Sequence, residues 1–304
     1  MHFARRFSPF VLVTTLTPGL TTCQQSGPRV PANPYENAHP YLDLPLEQVV
    51  KHIPELRELE PAQDEQILPT ILSETAVAVD EFLDNAVDLL AQEEVTRTRL
   101  RSNGSVQASQ RLQYNYLIVH HGDGLTLTIE EYREDSRGNR VEQGGLDQGF
   151  SLTSGFALIC IYFASDHRSD STFRYLGRET MGSRKTYVVA FAQRPEQRAA
   201  VNIVSGTWGK IGILVQGIAW IDERSYEIMR MRTDLLAPLP QIGLQAQTTE
   251  VSFDEVRLQD VPNPLWLPSD VTVDAKFEGT DFRNEHRYTN YRRYRVSSKI
   301  LAPN

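Results

Sequence analysis

The sequence is poor in cysteine and has no excess of basic residues. Only two cysteines, Cys23 and Cys160, occur among 304 residues, so a disulfide framework or a zinc site built from several thiolates is excluded. Lysine and arginine total 31 against 39 aspartate and glutamate, which gives a net charge of −8. Nucleic acid and anionic lipid surfaces attract basic proteins, so neither is expected as the default partner.

The chain also lacks the short motifs of common catalytic and nucleotide-binding sites. It contains no Gly-x-Ser-x-Gly nucleophile elbow. Two glycine-containing fragments, at 182–186 and 206–210, lack the spacing of a phosphate-binding loop and predict turns. We therefore expect no cofactor and no enzyme activity.

The first 23 residues have the features of an export signal. Two arginines precede an apolar stretch from Phe7 to Leu20, which is too short for a membrane-spanning helix. The following Leu20-Thr21-Thr22-Cys23 resembles the bacterial lipobox, although Thr22 stands where glycine, alanine or serine is usual. We expect a signal peptide over 1–23 with a lipid on Cys23. Ordinary cleaved secretion and no export remain alternatives.

The next residues predict a tether and a location. Residues 24–45 carry five prolines and no periodicity, which favours an extended link to a single domain at 46–304. Gln24 rather than aspartate follows Cys23, which favours anchoring in the outer membrane at the periplasmic face of the cell envelope. Without a lipid on Cys23 the protein would be secreted. Cys160 lies in an apolar run and predicts a buried thiol, with a Cys23–Cys160 disulfide as the alternative.

The beginning of the domain has a helical period. Apolar residues step by three and four from Leu72 to Leu90, and acidic residues occupy the other side. This pattern predicts an amphipathic helix over 65–92 with a solvated acidic face, after a shorter helix over 46–59.

From residue 112 onward the period changes to two. Residues 112–118 and 125–130 alternate on either side of the turn His121–Gly124, which predicts a hairpin. Residues 151–164 are evenly apolar, which favours a short buried helix, with a strand as the alternative. Further strands are predicted at 172–177, 185–193, 213–222, 226–234, 247–259, 266–277 and 284–300. The fold class is therefore α+β: a strongly curved antiparallel sheet, an open half-barrel, capped by N-terminal helices.

This order of elements resembles the lipoprotein-carrier family, which includes bacterial outer-membrane lipoprotein-sorting proteins and their receptors. Phe173–Glu179 followed by Tyr187–Phe191 resembles their pair of strands around a glycine turn, and Ile218–Asp222 followed by Tyr226–Arg230 resembles their next hairpin. The resemblance is one of architecture rather than motif. It implies an open half-barrel that holds acyl chains, and it assigns no ligand-binding residue here.

Three clusters are candidates for other chemistry. His120-His121-Gly122-Asp123 could contribute to a metal site with Asp166, His167 or His286, but adjacent strand residues point to opposite faces, so a polar turn and no metal are expected. Asp166–Ser171 brings Asp, His and Ser together only in sequence, which does not make a triad. The basic and aromatic residues near the C-terminus predict ion pairs with acidic neighbours such as Glu255 or Asp274, with an anionic ligand as the alternative; they are Arg287, Tyr291, Arg292, Arg293 and Arg295.

The sequence therefore predicts an exported, non-enzymatic envelope protein that holds a lipid or a lipoprotein acyl chain in the concavity of its sheet. A structural or protein-interaction module with a filled core is the alternative, because small barrels are often filled by their own side chains. A metal-dependent hydrolase is a second alternative, which depends on the histidine-rich turn.

Replacing Cys23 tests the predicted anchor. In a bacterial host with an outer membrane, Cys23→Ser should abolish incorporation of radiolabelled palmitate and move the protein from the membrane to the soluble fraction. Cys160→Ser is the matched control and should keep both the label and the membrane fraction. Equal labelling of wild type and Cys23→Ser would contradict the prediction.

Overall fold

The computed structural model describes residues 33–86, 88–121, 128–141, 155–196, 202–259 and 261–293, without the side chains of 120, 121 and 128. Two α-helices lie near the beginning, α1 (Leu46–His52) and α2 (Leu68–Asn85). The described strands are β1 (Glu60–Pro61), β2 (Leu89–Leu100), β3 (Val106–His121), β4 (Thr128–Glu134), β5 (Arg140–Val141), β6 (Ser171–Met181), β7 (Arg184–Gln193), β8 (Asn202–Gly206), β9 (Gly209–Ile213), β10 (Val215–Asp222), β11 (Ile228–Leu235), β12 (Leu244–Val256), β13 (Leu265–Phe277) and β14 (Thr280–Arg293).

Twelve of these strands form one open sheet in the order β1-β6-β7-β10-β11-β12-β13-β14-β2-β3-β4-β5. Every neighbouring pair is antiparallel. β1 and β5 are the edges, and β8 and β9 form a separate hairpin. The predicted α+β class with an antiparallel sheet is confirmed, and the sheet is not closed.

The inner face of the sheet is covered by α2 and by the inner segment, the 3₁₀ turn Ala157–Phe163. One apolar cluster joins Phe82 of α2 and this segment to Tyr116 of β3, Phe191 of β7 and Val251 of β12. Strands from distant parts of the sheet thus contact the same two elements, so the sheet curves around them. The predicted buried helix at 151–164 is confirmed as a buried helical turn over 157–163, and residues 151–154 lie outside the described part.

The outer face of β6, β7 and β10 is covered as well. Val49 of α1 and Ile53 and Leu56 beyond it pack against Val188 and Trp220. Burial on both faces explains why β7 and β10 are apolar almost throughout. The predicted helix over 46–59 ends at His52 and continues as the 3₁₀ turn Pro54–Glu58, because proline lacks the amide that a continuous helix needs.

The predicted helix over 65–92 is wrong beyond Asn85. Asp88 has a φ of 55°, a left-handed conformation that no continuing helix accommodates, and β2 begins at Leu89. The inward series of β2 alternates as a strand should: Leu89, Ala91, Glu93 and Val95 are all buried. Because Glu93 is charged, it interrupts the apolar alternation of this strand in the sequence.

Two further segments differ from expectation. The hairpin β8–β9 was not predicted, although the turn at 206–210 was; short strands rich in glycine give little alternation. Part of the predicted tether lies on the sheet, since the Tyr35 hydroxyl accepts from the Leu214 amide at 3.0 Å and the Tyr41 hydroxyl donates to Asp234 at 3.0 Å. No helix in the described residues is long and apolar enough to cross a bilayer.

Gly217 in the middle of β10 tests the close packing of the sheet. A Cβ atom there would lie 2.0 Å from the Arg232 carbonyl oxygen and 2.8 Å from the Phe191 ring. Gly217→Ala should lower the free energy of unfolding by about 1–3 kcal/mol or more, because both neighbours must shift. Gly104→Ala, at a turn glycine with open space around it, should cost only about 1 kcal/mol of left-handed strain. Equal denaturation midpoints for the two variants would contradict this packing.

Candidate functional site

A buried ionic network occupies the inner face where β14, β2, β3 and β4 lie side by side. The Arg133 guanidinium donates to Glu93 through Nε at 2.5 Å and through a terminal nitrogen at 2.7 Å. Both side chains are at most 2% exposed. The positive charge holds the Glu93 carboxylate in a place where an isolated carboxylate would not stay ionised.

Two side chains of β14 complete this network. His286 Nδ1 lies 2.8 Å from Glu93 Oε1, and the Tyr288 hydroxyl donates to the same oxygen at 2.7 Å. Burial raises the pKa of Glu93, but the charge of Arg133 and the hydrogen bonds from His286 and Arg133 reverse this and lower it to about 2. Burial lowers the pKa of His286, so its ring is neutral at pH 7. Its Nε2 atom is buried without a hydrogen-bond partner.

Glu131 of β4 connects the network to the inner segment. Its carboxyl group accepts from the Tyr116 hydroxyl, from the Gly155 amide at 2.9 Å and from the Leu158 amide at 3.0 Å. Burial raises the pKa of Glu131, against the opposing effect of these hydrogen bonds. The amides at the start of the inner segment are thus held by a side chain rather than by a strand or an α-helix.

The other end of the inner segment is held in a similar way. The Ser165 amide donates to the half-buried Asp80 of α2 at 3.2 Å, whereas Glu81 and Asp84 on the same acidic face are exposed, as predicted. Between these two ends, Tyr162 stacks on Phe191 with ring centroids 5.2 Å apart, and Phe163 meets the same ring edge-on at 5.7 Å. Cys160 is buried and free, as predicted, and burial raises the pKa of its thiol. The inner segment therefore fills the concave face with apolar side chains.

Pockets on the described surface have linings that are at least as polar as apolar, and one of them reaches the backbone of Glu93 from the outer face of the sheet. One of about 340 Å³ is lined by Asp64 and Arg178, one of about 550 Å³ by Arg184 and Asp222, and one of about 390 Å³ by Arg287 on the outer face. The side chains of the network, Glu93, Glu131, Arg133 and His286, are themselves buried.

The candidate site residues that were predicted from the sequence lie in different parts of the structure. Cys23 and residues 122–127 lie outside the described part of the chain, and so do the side chains of His120 and His121. His286 belongs to the buried network, whereas His167 lies at the surface 3.7 Å from Asp170. Among the described residues, no group of three or more His, Cys, Asp or Glu side chains is arranged to hold a metal ion.

Of the basic residues singled out in β14, Arg287 forms an ion pair of the predicted kind, whereas Arg293 donates to the Asn85 carbonyl oxygen at 3.4 Å. Arg287 Nε donates to Asp270 at 3.1 Å, and Arg283, which was not singled out, donates to Asp274 at 2.7 Å. The pairing of this patch with Glu255 is wrong, since Glu255 lies 3.2 Å from Arg184. Arg295 lies outside the described residues.

Glu227 is a further unusual carboxyl group. It lines a small pocket of about 100 Å³ with Glu81 and Phe82 of α2 and with Leu265. Burial and the nearby charges of Glu81 and Asp222 raise its pKa to about 7. Sequence reasoning missed Glu227, Glu93, Glu131 and Arg133. The signal that could have found the last three is a charged residue at an inward position of a strand whose inward neighbours are apolar.

Comparison with known proteins gives a weak likeness of fold. No family model and no curated protein matches the chain. A DUF1329 family protein from Desulfovibrio piger superposes with a TM-score of 0.38 at 10% identity, over 75% of this chain and 93% of that one. An outer membrane lipoprotein-sorting protein domain from Vibrio parahaemolyticus gives 0.36 at 10% identity, over 75% and 95%. Both likenesses concern the fold alone.

The Glu227 pKa predicts a pH-dependent stability. Its carboxyl pKa rises from 4.5 to about 7 on folding, so between these values the folded chain keeps a proton that the unfolded chain has lost. Stability should therefore fall as pH rises through this window. Glu227→Gln should raise the free energy of unfolding at pH 8 by about 1–3 kcal/mol after allowance for solvent screening, and should have little effect at pH 4.

Thermal or urea unfolding at both pH values measures this difference. Glu58→Gln, at an exposed position, is the matched control and should show no such pH dependence. A Glu227→Gln variant that is equally or less stable than wild type at pH 8 would contradict the assignment.

Proposed function

We propose that this protein is a non-enzymatic component of the bacterial cell envelope, anchored through a lipid on Cys23, whose sheet forms a half-barrel for an apolar ligand. The ligand is a lipid or a lipoprotein acyl chain. It binds to the concave face in place of the inner segment, Ala157–Phe163.

The packing of the inner segment carries this proposal. Five of its seven residues are buried against the apolar face. Glu131 accepts hydrogen bonds from the amide of Leu158 in the segment and from that of Gly155 just before it, and Asp80 accepts one from the amide of Ser165 just after it. An acyl chain of similar apolar area could replace these packing contacts, because the hydrophobic effect is non-directional and roughly proportional to the area buried.

A second candidate is a structural or protein-interaction module with a permanently filled core. The observation that favours it is the packing itself: the described inner face is occupied by aromatic and aliphatic side chains that are almost fully buried. Such a module would bind no acyl chain at any concentration. Loosening the inner segment distinguishes the two candidates.

Removing the Glu131 carboxyl group should strengthen ligand binding. If the inner segment competes with the ligand, weakening its attachment raises the fraction of competent protein and lowers the apparent Kd. Because Glu131→Ala loses the hydrogen bonds that its carboxyl group accepts, we expect this variant to bind a fluorescent fatty acid about threefold to thirtyfold more tightly than wild type. Fluorescence titration of the full chain measures this.

Glu130→Ala is the matched control, since Glu130 lies next in the same strand and pairs with exposed Arg140. It should bind as wild type does. Glu131→Gln keeps the shape of the side chain, and it replaces the alanine variant in the titration if the alanine variant fails to fold. Folded wild type and folded Glu131 variants that all fail to bind would overturn the proposal and favour the filled module.

A further inference from the structure

We propose that the concave face carries a binding site for an oxyanion, a carboxylate or a phosphate group, formed by Arg97 and Arg99 of β2. Both residues follow Glu93 and Val95 on the inward side of the strand. In the sheet register, Arg97 lies between Asn284 of β14 and Gln110 of β3, and Arg99 lies between Phe282 and Ala108. The two guanidiniums are therefore on the same face, one strand repeat apart.

Neither arginine has a carboxylate partner in the described part of the chain. The Nε atoms of both Arg97 and Arg99 are buried and make no hydrogen bond. The Arg99 guanidinium lies over the Phe282 ring, 5.5 Å from its centroid, which leaves its edge of donors available. By contrast, the outward arginines of β14 are matched: Arg283 pairs with Asp274 and Arg287 with Asp270. Half-buried donors without an acceptor are stabilised when an anion supplies one.

The local charge balance also favours an anion. Arg97, Arg99 and Arg133 face the same concavity, and Glu93 already pairs with Arg133 at 2.5 Å. Burial lowers the pKa of Arg97, and the charge of Arg133 acts in the same direction, against opposing effects of Tyr114 and Glu93, so the site is partly desolvated.

The chemistry of the ligand follows from the donors and their surroundings. A guanidinium fork matches the two oxygens of a carboxylate or phosphate group. Phe282 and the buried Val273 nearby are apolar, so the anion is expected at the head of an amphiphile. The assignment of an amphiphile rests on the proposed function, in which the apolar tail of the ligand lies on the apolar part of the same face.

The test compares three probes by isothermal titration calorimetry with the full chain: inorganic phosphate, dihexanoyl phosphatidic acid, and the uncharged dihexanoyl glycerol. Arg97→Gln and Arg99→Gln should each weaken binding of the phosphatidic acid at least about tenfold, the loss of a charge-assisted hydrogen bond, and leave binding of the uncharged lipid unchanged. Arg97→Lys keeps the charge without the fork and should weaken binding less. Arg283→Gln, on the outer face of β14, is the matched control and should have no effect.

Dependence of inorganic phosphate binding on Arg97 would identify a free anion as the ligand, and dependence seen only with phosphatidic acid would identify a lipid head group. Equal affinity of wild type and both glutamine variants for every anionic probe would overturn the site. Binding of the uncharged lipid in that case would leave the proposed function standing. Unchanged melting temperatures of the glutamine variants exclude misfolding as the cause of a loss.

Discussion

The inner face of a twelve-stranded antiparallel sheet must be covered, and this requirement governs the rest of the structure. α2 and the inner segment, Ala157–Phe163, provide the cover, and strands from β2 to β14 contact them in one apolar cluster. Curvature follows from this arrangement, because distant strands reach the same two elements only if the sheet bends around them. The outer cover by α1 is local and buries only part of the other face.

The core under this cover also contains charged and polar side chains. Glu93, Arg133 and His286 form a hydrogen-bonded group at one end of the core, and Glu131 extends it to the backbone of the inner segment. Buried ion pairs contribute little net stability compared with apolar residues of similar volume, but removing one partner is costly because the other charge is left unpaired. A buried network therefore specifies a geometry, here the position at which the inner segment enters the core.

The strand pattern was readable from the sequence wherever one face is apolar. β13 alternates cleanly and β7 is apolar from Tyr187 to Ala192, so both were predicted with small errors at their ends. The predicted helix over 65–92 took in the first four residues of β2, and the rest of this strand was not predicted, because Glu93, Arg97 and Arg99 occupy inward positions. The candidate site was missed for the same reason. In the sequence, a charged residue on the inner face cannot be distinguished from an exposed one, because the strand register that brings its partner close is not known. Local periodicity carries no information about which distant strands become neighbours, and the ionic network joins residues nearly two hundred positions apart.

The central claim is that the inner segment occupies the place of a ligand. Hydrogen–deuterium exchange of the full chain, with and without saturating fatty acid, tests it most directly. The account predicts that the amides of 155–163 exchange faster in the presence of the fatty acid, while those of β7 and β10 stay protected. Saturable fatty acid binding with unchanged or increased protection over 155–163 would contradict it.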